Sequence, residues 1–447
     1  MELIKKNFLS ILIVVFHFIL FVFINLKMNI FDFKNIAIAN LVLYFFIFLV
    51  LTLSLVFFFN KKKIQTLTLI LFSTYFSLYL VEFGIIFIQK LDKKTFYQNA
   101  KTNNFDLREK FDYFQDKSKE QKVSIFYPSL NHINSVVKKY DYLFPLSGIS
   151  NIQTIYCNES GYYSEYLSDR YGYNNPDEEW NGSEIDYLLI GDSFTHGACV
   201  NRPNDIASNL REKFYHKKNI INLGWGGSGS LMQLAILKEY LNIKKVKNII
   251  WIYFEFNDLD ELYLELQNSK LNLYLNENNY SQNLNKRQDE INKFIEENIK
   301  IKKDIYIKKK KQQDRNEIFS IIKLFHLRYL VSNIFTKSNT TDESTLNNFE
   351  KIMLEAKRIS ETNNINFTVV YLPNYYRYKR KMDDNYLNYN KIINILKQNE
   401  INIIDLKKDF DESGKDIIGL YPSRTFNHFN IQGYRFVSEL IFQGISK

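Results

Sequence analysis

Short apolar strands alternate with helices along the second half of this 447-residue chain. Residues 187–190 form an apolar run that predicts a buried strand, and 219–223 and 248–254 predict the next two strands. Helices are predicted between them at 205–214 and 230–241. Strands separated by helices form a parallel sheet through right-handed crossovers. The pattern therefore predicts an α/β fold in which the loops after the strands meet at one edge of the sheet.

The same alternation returns near the C-terminus. A helix is predicted at 346–362, a strand at 366–372, a helix at 386–399 and a strand at 402–406. The stretch 260–335, rich in Lys, Asn and Glu, has a helical period and is longer than a crossover requires. It is predicted to be a helical insertion, either a cap over the sheet edge or a solvated hairpin with no part in the chemistry.

Three apolar runs fill most of the first ninety residues. They cover about 8–26, 36–59 and 64–88, and each is close to the roughly 20 residues that cross a bilayer as a helix. Lys5 and Lys6 would also suit a signal peptide, but no small-residue cleavage site follows them. We therefore expect a transmembrane region, 1–90, with three helices and a retained N-terminal anchor.

The lysines around these runs predict an orientation. Lys5 and Lys6 precede the first run, and three lysines at 61–63 separate the second from the third. Because cytoplasmic loops are enriched in basic residues, the N-terminus is predicted inside and the large C-terminal part outside. Three lysines after the third run favour the opposite orientation less strongly. The chain is thus expected to be a multi-pass protein of the inner or plasma membrane with an extracytoplasmic domain, periplasmic where the envelope has two membranes.

Residues 91–184 are polar and aromatic, with turn signals, and predict a juxtamembrane spacer followed by a small β-rich extension. The two cysteines, Cys157 and Cys199, could form a disulfide outside the cytoplasm, but unlinked thiols are expected, and their spacing does not suit zinc. The net charge of +9 comes from lysines scattered among acidic residues, which predicts solvated faces and no nucleic-acid partner.

Polar and glycine residues follow the predicted strands. Ser193 follows the first strand, a glycine-rich turn with Gly227 follows the second, and Asn257 and Asp258 follow the third. His428 lies in a loop before the last helix. In open parallel sheets this edge is where ligands bind. The glycine-rich turn is not a phosphate-binding loop with its lysine, but its backbone N–H groups could stabilise an oxyanion.

Taken in order, these four pieces resemble the SGNH, or GDSL-type, hydrolase family, which is named for its Ser, Gly, Asn and His blocks. The resemblance covers about residue 186 to the C-terminus. We therefore predict a hydrolase-like domain over residues 185–447. The residues that carry it are Gly191-Asp192-Ser193, Gly227 five residues after Asn222, Asn257-Asp258, and His428 with Asn430 and Gly433.

This resemblance implies a three-layer α/β/α fold and acyl transfer through Ser193 without a metal or other cofactor. His428 would take the serine proton, and the N–H groups of Ser193 and Gly227 with the Asn257 amide would bind the oxyanion. His196 is too near Ser193 in sequence to be its base and is expected to be a loop or substrate-side residue. Supporting roles at the same edge are expected for three further residues, Asp192, Asp258 and Thr425.

The chain departs from the family pattern in two places. Phe256 stands where glycine usually precedes Asn-Asp, which predicts a narrower acyl pocket. Thr425 stands where an aspartate usually precedes the histidine by three residues. Three outcomes follow: a Ser-His dyad aided by a backbone carbonyl, an aspartate supplied from elsewhere such as Asp409 or Asp411, or a degenerate site. The dyad is the favoured prediction.

Location and resemblance together predict a membrane-anchored extracytoplasmic serine esterase. Its expected substrate is an O-acyl group, expected to be acetyl, on a cell-envelope polysaccharide, and the ester would be cleaved through an acyl-serine intermediate. One alternative is an O-acyltransferase that acts on an envelope glycan beside a membrane acyl-donor protein. The other is a catalytically degenerate glycan-binding or assembly module. The expected partners are the lipid bilayer and an O-acylated substrate.

Overall fold

The computed structural model describes residues 66, 70, 73, 76–88, 105–128, 143–277, 279–311, 321, 324–329, 342–382, 384 and 388–446. The chain divides into two compact units, one made of Met1–Phe96 and Lys310–Lys337 and the other of Tyr97–Lys309 and Ser338–Lys447. The predicted membrane helices 8–26 and 36–59, and part of 64–88, lie outside the described residues. Residues 76–88 are helical. Within the described part of the chain, no helix is both long and apolar enough to span a bilayer.

The second unit contains two β-sheets and the helices that pack on them. The strands are β1 (Val123–Ile125), β2 (Gln153–Ile155), β3 (Glu165–Leu167), β4 (Glu184–Gly191), β5 (Ile220–Asn222), β6 (Lys245–Phe254), β7 (Asn366–Leu372) and β8 (Asn402–Asp405). The helices are α1 (Lys110–Glu120), α2 (Ser193–His196), α3 (Ile206–Lys213), α4 (Ser230–Tyr240), α5 (Asp258–Glu265), α6 (Ser269–Asn276), α7 (Gln288–Lys311), α8 (Glu343–Thr362), α9 (Tyr375–Arg380), α10 (Tyr389–Gln398), α11 (Leu406–Glu412) and α12 (Ile431–Ile445).

The larger sheet is parallel throughout its described strands, in the order β5-β4-β6-β7-β8. Leu189 of β4 is aligned with Asn222, the last residue of β5, and Gly191 is aligned with Ile252 near the end of β6. The carboxyl ends of these three neighbouring strands therefore lie side by side. This register brings the segments after β4, β5 and β6 to one edge of the sheet, as the alternating pattern predicts.

Both faces of this sheet are buried. Leu188 and Ile190 pack into one hydrophobic core, which includes residues of α4 and α8, while Leu189 packs into a second core with residues of α3 and α12. Side chains of successive strand residues point to opposite faces, so an uninterrupted apolar strand requires cover on both sides. Helices supply that cover, and the result is an α/β/α arrangement of three layers.

The smaller sheet belongs to the predicted β-rich extension. In it β1 pairs parallel with β2, and β2 pairs antiparallel with β3. The described part of the predicted insertion packs on this extension. The Asn292 side chain, in α7, accepts a hydrogen bond from the Ser150 N–H (3.0 Å), and Gln282, in a loop, accepts one from the Phe144 N–H (2.8 Å). A place for the insertion above the sheet edge stays a prediction.

Candidate active site

Ser193 lies where β4 turns into the short helix α2. A Cβ atom at Gly191 would come within 2.1 Å of the Thr195 hydroxyl, so only glycine fits there. The Asp192 carboxylate accepts a hydrogen bond from the Phe194 N–H (2.9 Å) and caps α2. The close approach and the cap fix the turn, which places the Ser193 hydroxyl at the carboxyl edge of the sheet.

His428 meets Ser193 at this edge. Its Nε2 lies 2.8 Å from the Ser193 Oγ, a hydrogen-bond distance. The loop that carries His428 is fixed at its end by Asn430, whose side chain accepts from the Gly433 N–H (2.9 Å) to cap α12. A neutral imidazole in this position can accept the hydroxyl proton, which is the first requirement for a serine nucleophile.

A carboxylate completes the arrangement, and it belongs to Glu159. One oxygen of Glu159 lies 2.9 Å from Nδ1 of His428, and the other accepts a hydrogen bond from the His428 backbone N–H (2.8 Å). Since a carboxylate only accepts, Nδ1 carries the proton and Nε2 is left to accept from Ser193. The favoured prediction, a Ser-His dyad aided by a backbone carbonyl, therefore differs from this structure, in which the carboxylate of Glu159 contacts Nδ1.

The carboxylates considered from the sequence lie elsewhere. Asp409 and Asp411 belong to α11, where Asp411 pairs with Lys407 (2.9 Å). Thr425 stays within its own loop: its hydroxyl donates to the Pro422 carbonyl (3.1 Å) and accepts from the Asn427 amide (2.9 Å). The alternative of Asp409 or Asp411 as the supporting acid is wrong because Nδ1 of the histidine is occupied by Glu159 from the extension.

Glu159 could not be found from motif spacing. It precedes the histidine by 269 residues and lies in the loop between β2 and β3, outside the segment that resembles the family. A family pattern places the acid three residues before the histidine, and no local signal marks a glutamate in a loop of the smaller sheet. The one sequence feature near it is Cys157, two residues earlier.

Cys157 and Cys199 form a disulfide, so the expectation of unlinked thiols is wrong. The fold brings their Cα atoms to 5.0 Å, which is within the range for a disulfide. The Cys199 sulfur also lies 3.6 Å from Nδ1 of His428. Glu159, Cys199 and His428 are close enough together to suggest metal ligands, but a sulfur in a disulfide is not the thiolate that a metal needs.

The glycine-rich turn after β5 lies against the end of β4. The Trp225 N–H and the Ser228 hydroxyl both donate to the Gly191 carbonyl (3.0 and 3.3 Å). Gly227 has φ = 77°, a left-handed conformation that favours glycine. These contacts hold the turn beside Ser193. A backbone N–H group of the turn must lie in this position to act as a second oxyanion donor.

Asn257 lies three residues after the end of β6, directly before α5. Its amide nitrogen donates to the Glu261 carboxyl (2.9 Å), while its Oδ1 is buried without a hydrogen-bond partner among the described residues. An amide NH₂ has two hydrogens. The contact with Glu261 uses one of them and leaves the other for a further acceptor.

Asp192 and Asp258 are buried side chains that shape the two strand ends. Asp258 accepts from the Phe254 N–H (3.1 Å) and from Gln233 (3.4 Å). Burial raises the pKa of both carboxyl groups, and in Asp258 the charge of Asp192 adds to this effect. Their contacts place them as supports of the backbone, while the Asp192 oxygen is 3.4 Å from the Ser193 hydroxyl.

His196 is fully buried, so the expected loop or substrate-side role is wrong. Its Nδ1–H donates to the Gly224 carbonyl (3.0 Å), and its ring packs against Phe126, Tyr156 and Trp225. Burial lowers the pKa of this imidazole to about 3, because a charged ring would lose its hydration there. His196 is therefore neutral and joins the turn that bears Ser193 to the extension.

No family model matches this chain, and no curated protein matches its sequence. Similar solved structures include a protein assigned to the G-D-S-L family of lipolytic proteins from Desulfitobacterium hafniense DCB-2 (13% identity, TM-score 0.33, 58% of this chain and 99% of that chain). Others are an acetyl xylan esterase (15%, 0.34, 58% and 100%) and a lipase/acylhydrolase from Enterococcus faecalis (12%, 0.33, 58% and 95%). At these scores, the likeness supports no conclusion about activity or substrate.

Proposed function

We propose that this protein is an SGNH-type serine esterase with a Ser193–His428–Glu159 triad. The observation that carries the proposal is the continuous chain of hydrogen bonds from the Ser193 hydroxyl through both ring nitrogens of His428 to Glu159. Serine hydrolases on unrelated folds share this order of groups, because the acid fixes the tautomer and stabilises the imidazolium.

The proposed reaction has two halves. The Ser193 Oγ attacks the ester carbonyl while Nε2 of His428 takes its proton, and collapse of the tetrahedral intermediate breaks the bond to the alcohol, which receives that proton. Water then attacks the acyl-serine, again giving a proton to His428, and the carboxylic acid leaves as the Ser193 hydroxyl is restored. Glu159 holds the imidazolium in both halves.

The oxyanion would be bound by the Ser193 and Gly227 backbone N–H groups and by the second N–H of Asn257. A single donor of this kind can stabilise a transition state by roughly 3 kcal/mol. The contact between Asn257 and Glu261 supports the role by fixing the plane of the amide. No metal or cofactor takes part in these steps.

The proposed substrate is an O-acetylated polysaccharide of the cell envelope. An aromatic patch, defined as Phe256, Tyr376 and Phe426, supports it: the Phe256 and Tyr376 rings lie 4.7 and 4.8 Å from the Phe426 ring, and Phe256 is 40% exposed. Phe256 is next to Asn257, and Phe426 is two residues before His428. An exposed Phe256 ring, backed by half-buried Tyr376 and Phe426, would offer apolar area to a sugar ring with little loss of side-chain entropy.

The proposed location is the outer side of the membrane to which the apolar runs would anchor the chain. The Cys157–Cys199 disulfide supports this proposal, since disulfides persist in oxidising compartments and are rare in the cytosol. The bilayer, an O-acylated glycan and a membrane acyl donor are the partners to test.

The test is covalent labelling and ester hydrolysis by the full-length protein in detergent. We expect a fluorophosphonate to label it and p-nitrophenyl acetate to be cleaved, with both lost in Ser193→Ala, at a cost on the order of 10⁶-fold in kcat. Ser118→Ala, which changes an exposed serine of α1, is the matched control. Activity that survives Ser193→Ala would contradict the proposal.

An O-acyltransferase would use the same acyl-serine and pass the acyl group to a sugar hydroxyl in place of water. Product analysis separates the two reactions: acetate in solution indicates hydrolysis, and a glycan that gains acetyl indicates transfer. The alternative of a degenerate binding module depended on the missing aspartate at Thr425. Glu159 supplies a carboxylate in its place, which favours an enzyme.

A further inference from the structure

The segment that bears Glu159 is a short loop between β2 and β3. Its base is closed by backbone hydrogen bonds from Ser164 N–H to the Cys157 carbonyl and from Tyr156 N–H to the Ser164 carbonyl (both 2.8 Å). Beyond this base, Asn158 donates to the Asp106 carbonyl (2.7 Å). These bonds set the loop's shape within the extension, but none of them joins it to the segment that bears the nucleophile.

The disulfide makes that connection. Cys157 precedes Glu159 by two residues, and Cys199 follows Ser193 by six. The acid and the nucleophile are thus carried on segments linked by one covalent bond. The Cys199 sulfur lies 3.6 Å from Nδ1 of His428. The bridge therefore also packs against the contact between His428 and Glu159, whose geometry it would control.

The backbone at Cys199 is a second, independent observation. Cys199 is buried and has φ = 63°, in the left-handed region. A residue other than glycine is held there at a cost of roughly 1 kcal/mol or more and persists when its surroundings fix it. The Tyr434 hydroxyl also holds this turn by donating to the Ala198 carbonyl (2.9 Å). Cys199 is therefore presented to the extension in a defined direction.

Other contacts tie the extension to the nucleophile side without the disulfide. The Glu165 N–H donates to the Asn201 side chain (2.8 Å), and Arg202 donates to the Leu167 carbonyl (2.9 Å). Both involve β3, beyond the loop that carries Glu159. Loss of the disulfide would thus remove the covalent link between the Glu159 loop and the segment that bears Ser193, while β3 keeps its attachment.

We propose that the Cys157–Cys199 disulfide is the positioning element of Glu159, so that the triad is complete only in the oxidised protein. The inference rests on the proposed function. A dithiol reductant would give two electrons and two protons to the disulfide, leaving two cysteine thiols and an oxidised, cyclised dithiol. The reduced chain keeps its fold and Ser193, but its acid no longer holds the His428 ring.

The test compares oxidised and dithiol-reduced full-length protein with p-nitrophenyl acetate. Because the chain has only two cysteines, the reductant acts on this bridge alone; a thiol count confirms reduction and circular dichroism monitors the fold. We expect kcat to fall about 100-fold or more with KM nearly unchanged, and to return on reoxidation. Unchanged kcat in the reduced protein would overturn the proposal, as would loss of the dichroism signal together with activity, which would make the bridge a brace for the whole fold.

Variants separate positioning from general stability. Cys157→Ser with Cys199→Ser should lower kcat as reduction does, and adding this pair to Glu159→Gln should lower kcat little further, because the bridge acts only through the carboxylate that Glu159→Gln has already removed. If the fold-losses in kcat of the two changes multiplied in the combined variant, the proposal would be overturned. Absence of Ser193-dependent activity in the oxidised wild type would instead contradict the proposed function itself, so the two failures are distinguishable.

Discussion

The nucleophile and the acid of the proposed triad lie in regions whose geometry is specified in different ways. Ser193 follows a strand of the five described parallel strands, where a glycine, a cap and the sheet register fix its position. Glu159 lies in a loop of the small mixed sheet and reaches His428 through tertiary packing and a neighbouring disulfide. A site can thus keep a recognisable nucleophile while its acid comes from a part of the chain that carries no motif.

Removing the proposed oxyanion amide tests the sheet-edge region by itself. Asn257→Ala should lower kcat by about 10²–10³-fold, because one donor to the developing charge is lost. Asn347→Ala, on the exposed face of α8, is the control. A kcat within a factor of two of wild type would show that Asn257 serves Glu261 and not the oxyanion.

The aromatic patch is tested by its effect on substrates of different size. Phe256→Ala should raise KM for an acetylated polysaccharide roughly 10-fold, equivalent to about 1.4 kcal/mol, and leave p-nitrophenyl acetate almost unaffected. Tyr215→Ala removes a ring that is 81% exposed outside the patch and should change neither value. Equal effects on both substrates would instead place Phe256 at the acyl pocket, as the sequence predicts.

His196 joins the two regions and predicts a pH dependence of stability. Its pKa is about 3 in the folded protein and near 6.5 when unfolded, so the unfolded chain binds more protons between these values. Stability should fall with pH below about 6.5, by at most about 1.4 kcal/mol per pH unit from this residue. Denaturant unfolding at pH 7 and pH 5 measures the loss. His196→Asn should reduce the difference; an equal pH dependence in the variant would contradict the assignment.

Restoring the family's aspartate should have the smallest effect. Thr425→Asp should change kcat by about twofold at most, since Nδ1 of His428 already pairs with Glu159 and Thr425 is exposed. In a Glu159→Gln background the same substitution measures whether the position can take over. A large gain in the otherwise wild-type chain would show that the carboxylate is truly missing.

Strong periodicity explains which elements could be predicted. The strand expected at 366–372 is found at Asn366–Leu372, and the helix expected at 205–214 is Ile206–Lys213. Apolar alternation and end caps are local signals, so they survive without tertiary information. The helix expected at 386–399 begins only at Tyr389 because Asn388 before it has a left-handed backbone, φ = 56°.

The residues of the site divide in the same way, into those that a local pattern predicts and those that depend on tertiary packing. Ser193, His428 and the turn with Gly227 could be proposed because each follows a strand or precedes a helix at a recognisable spacing. Glu159 and the Cys157–Cys199 pairing depend on how the extension docks on the sheet, and separations of 269 and 42 residues leave no local pattern. His196 is the opposite case. It follows Ser193 by three residues and is expected from the sequence to be a loop or substrate-side residue, but its ring is buried among aromatic side chains.

The most direct measurement is the kcat of Glu159→Gln with p-nitrophenyl acetate, beside Glu120→Gln at an exposed position of the same extension. The glutamine keeps the size of the side chain but removes the charge that stabilises the imidazolium and fixes its tautomer. The triad predicts a loss on the order of 10⁴-fold in Glu159→Gln, with the fold intact and Glu120→Gln unchanged. A kcat close to wild type in Glu159→Gln would contradict the assignment of Glu159 as the acid.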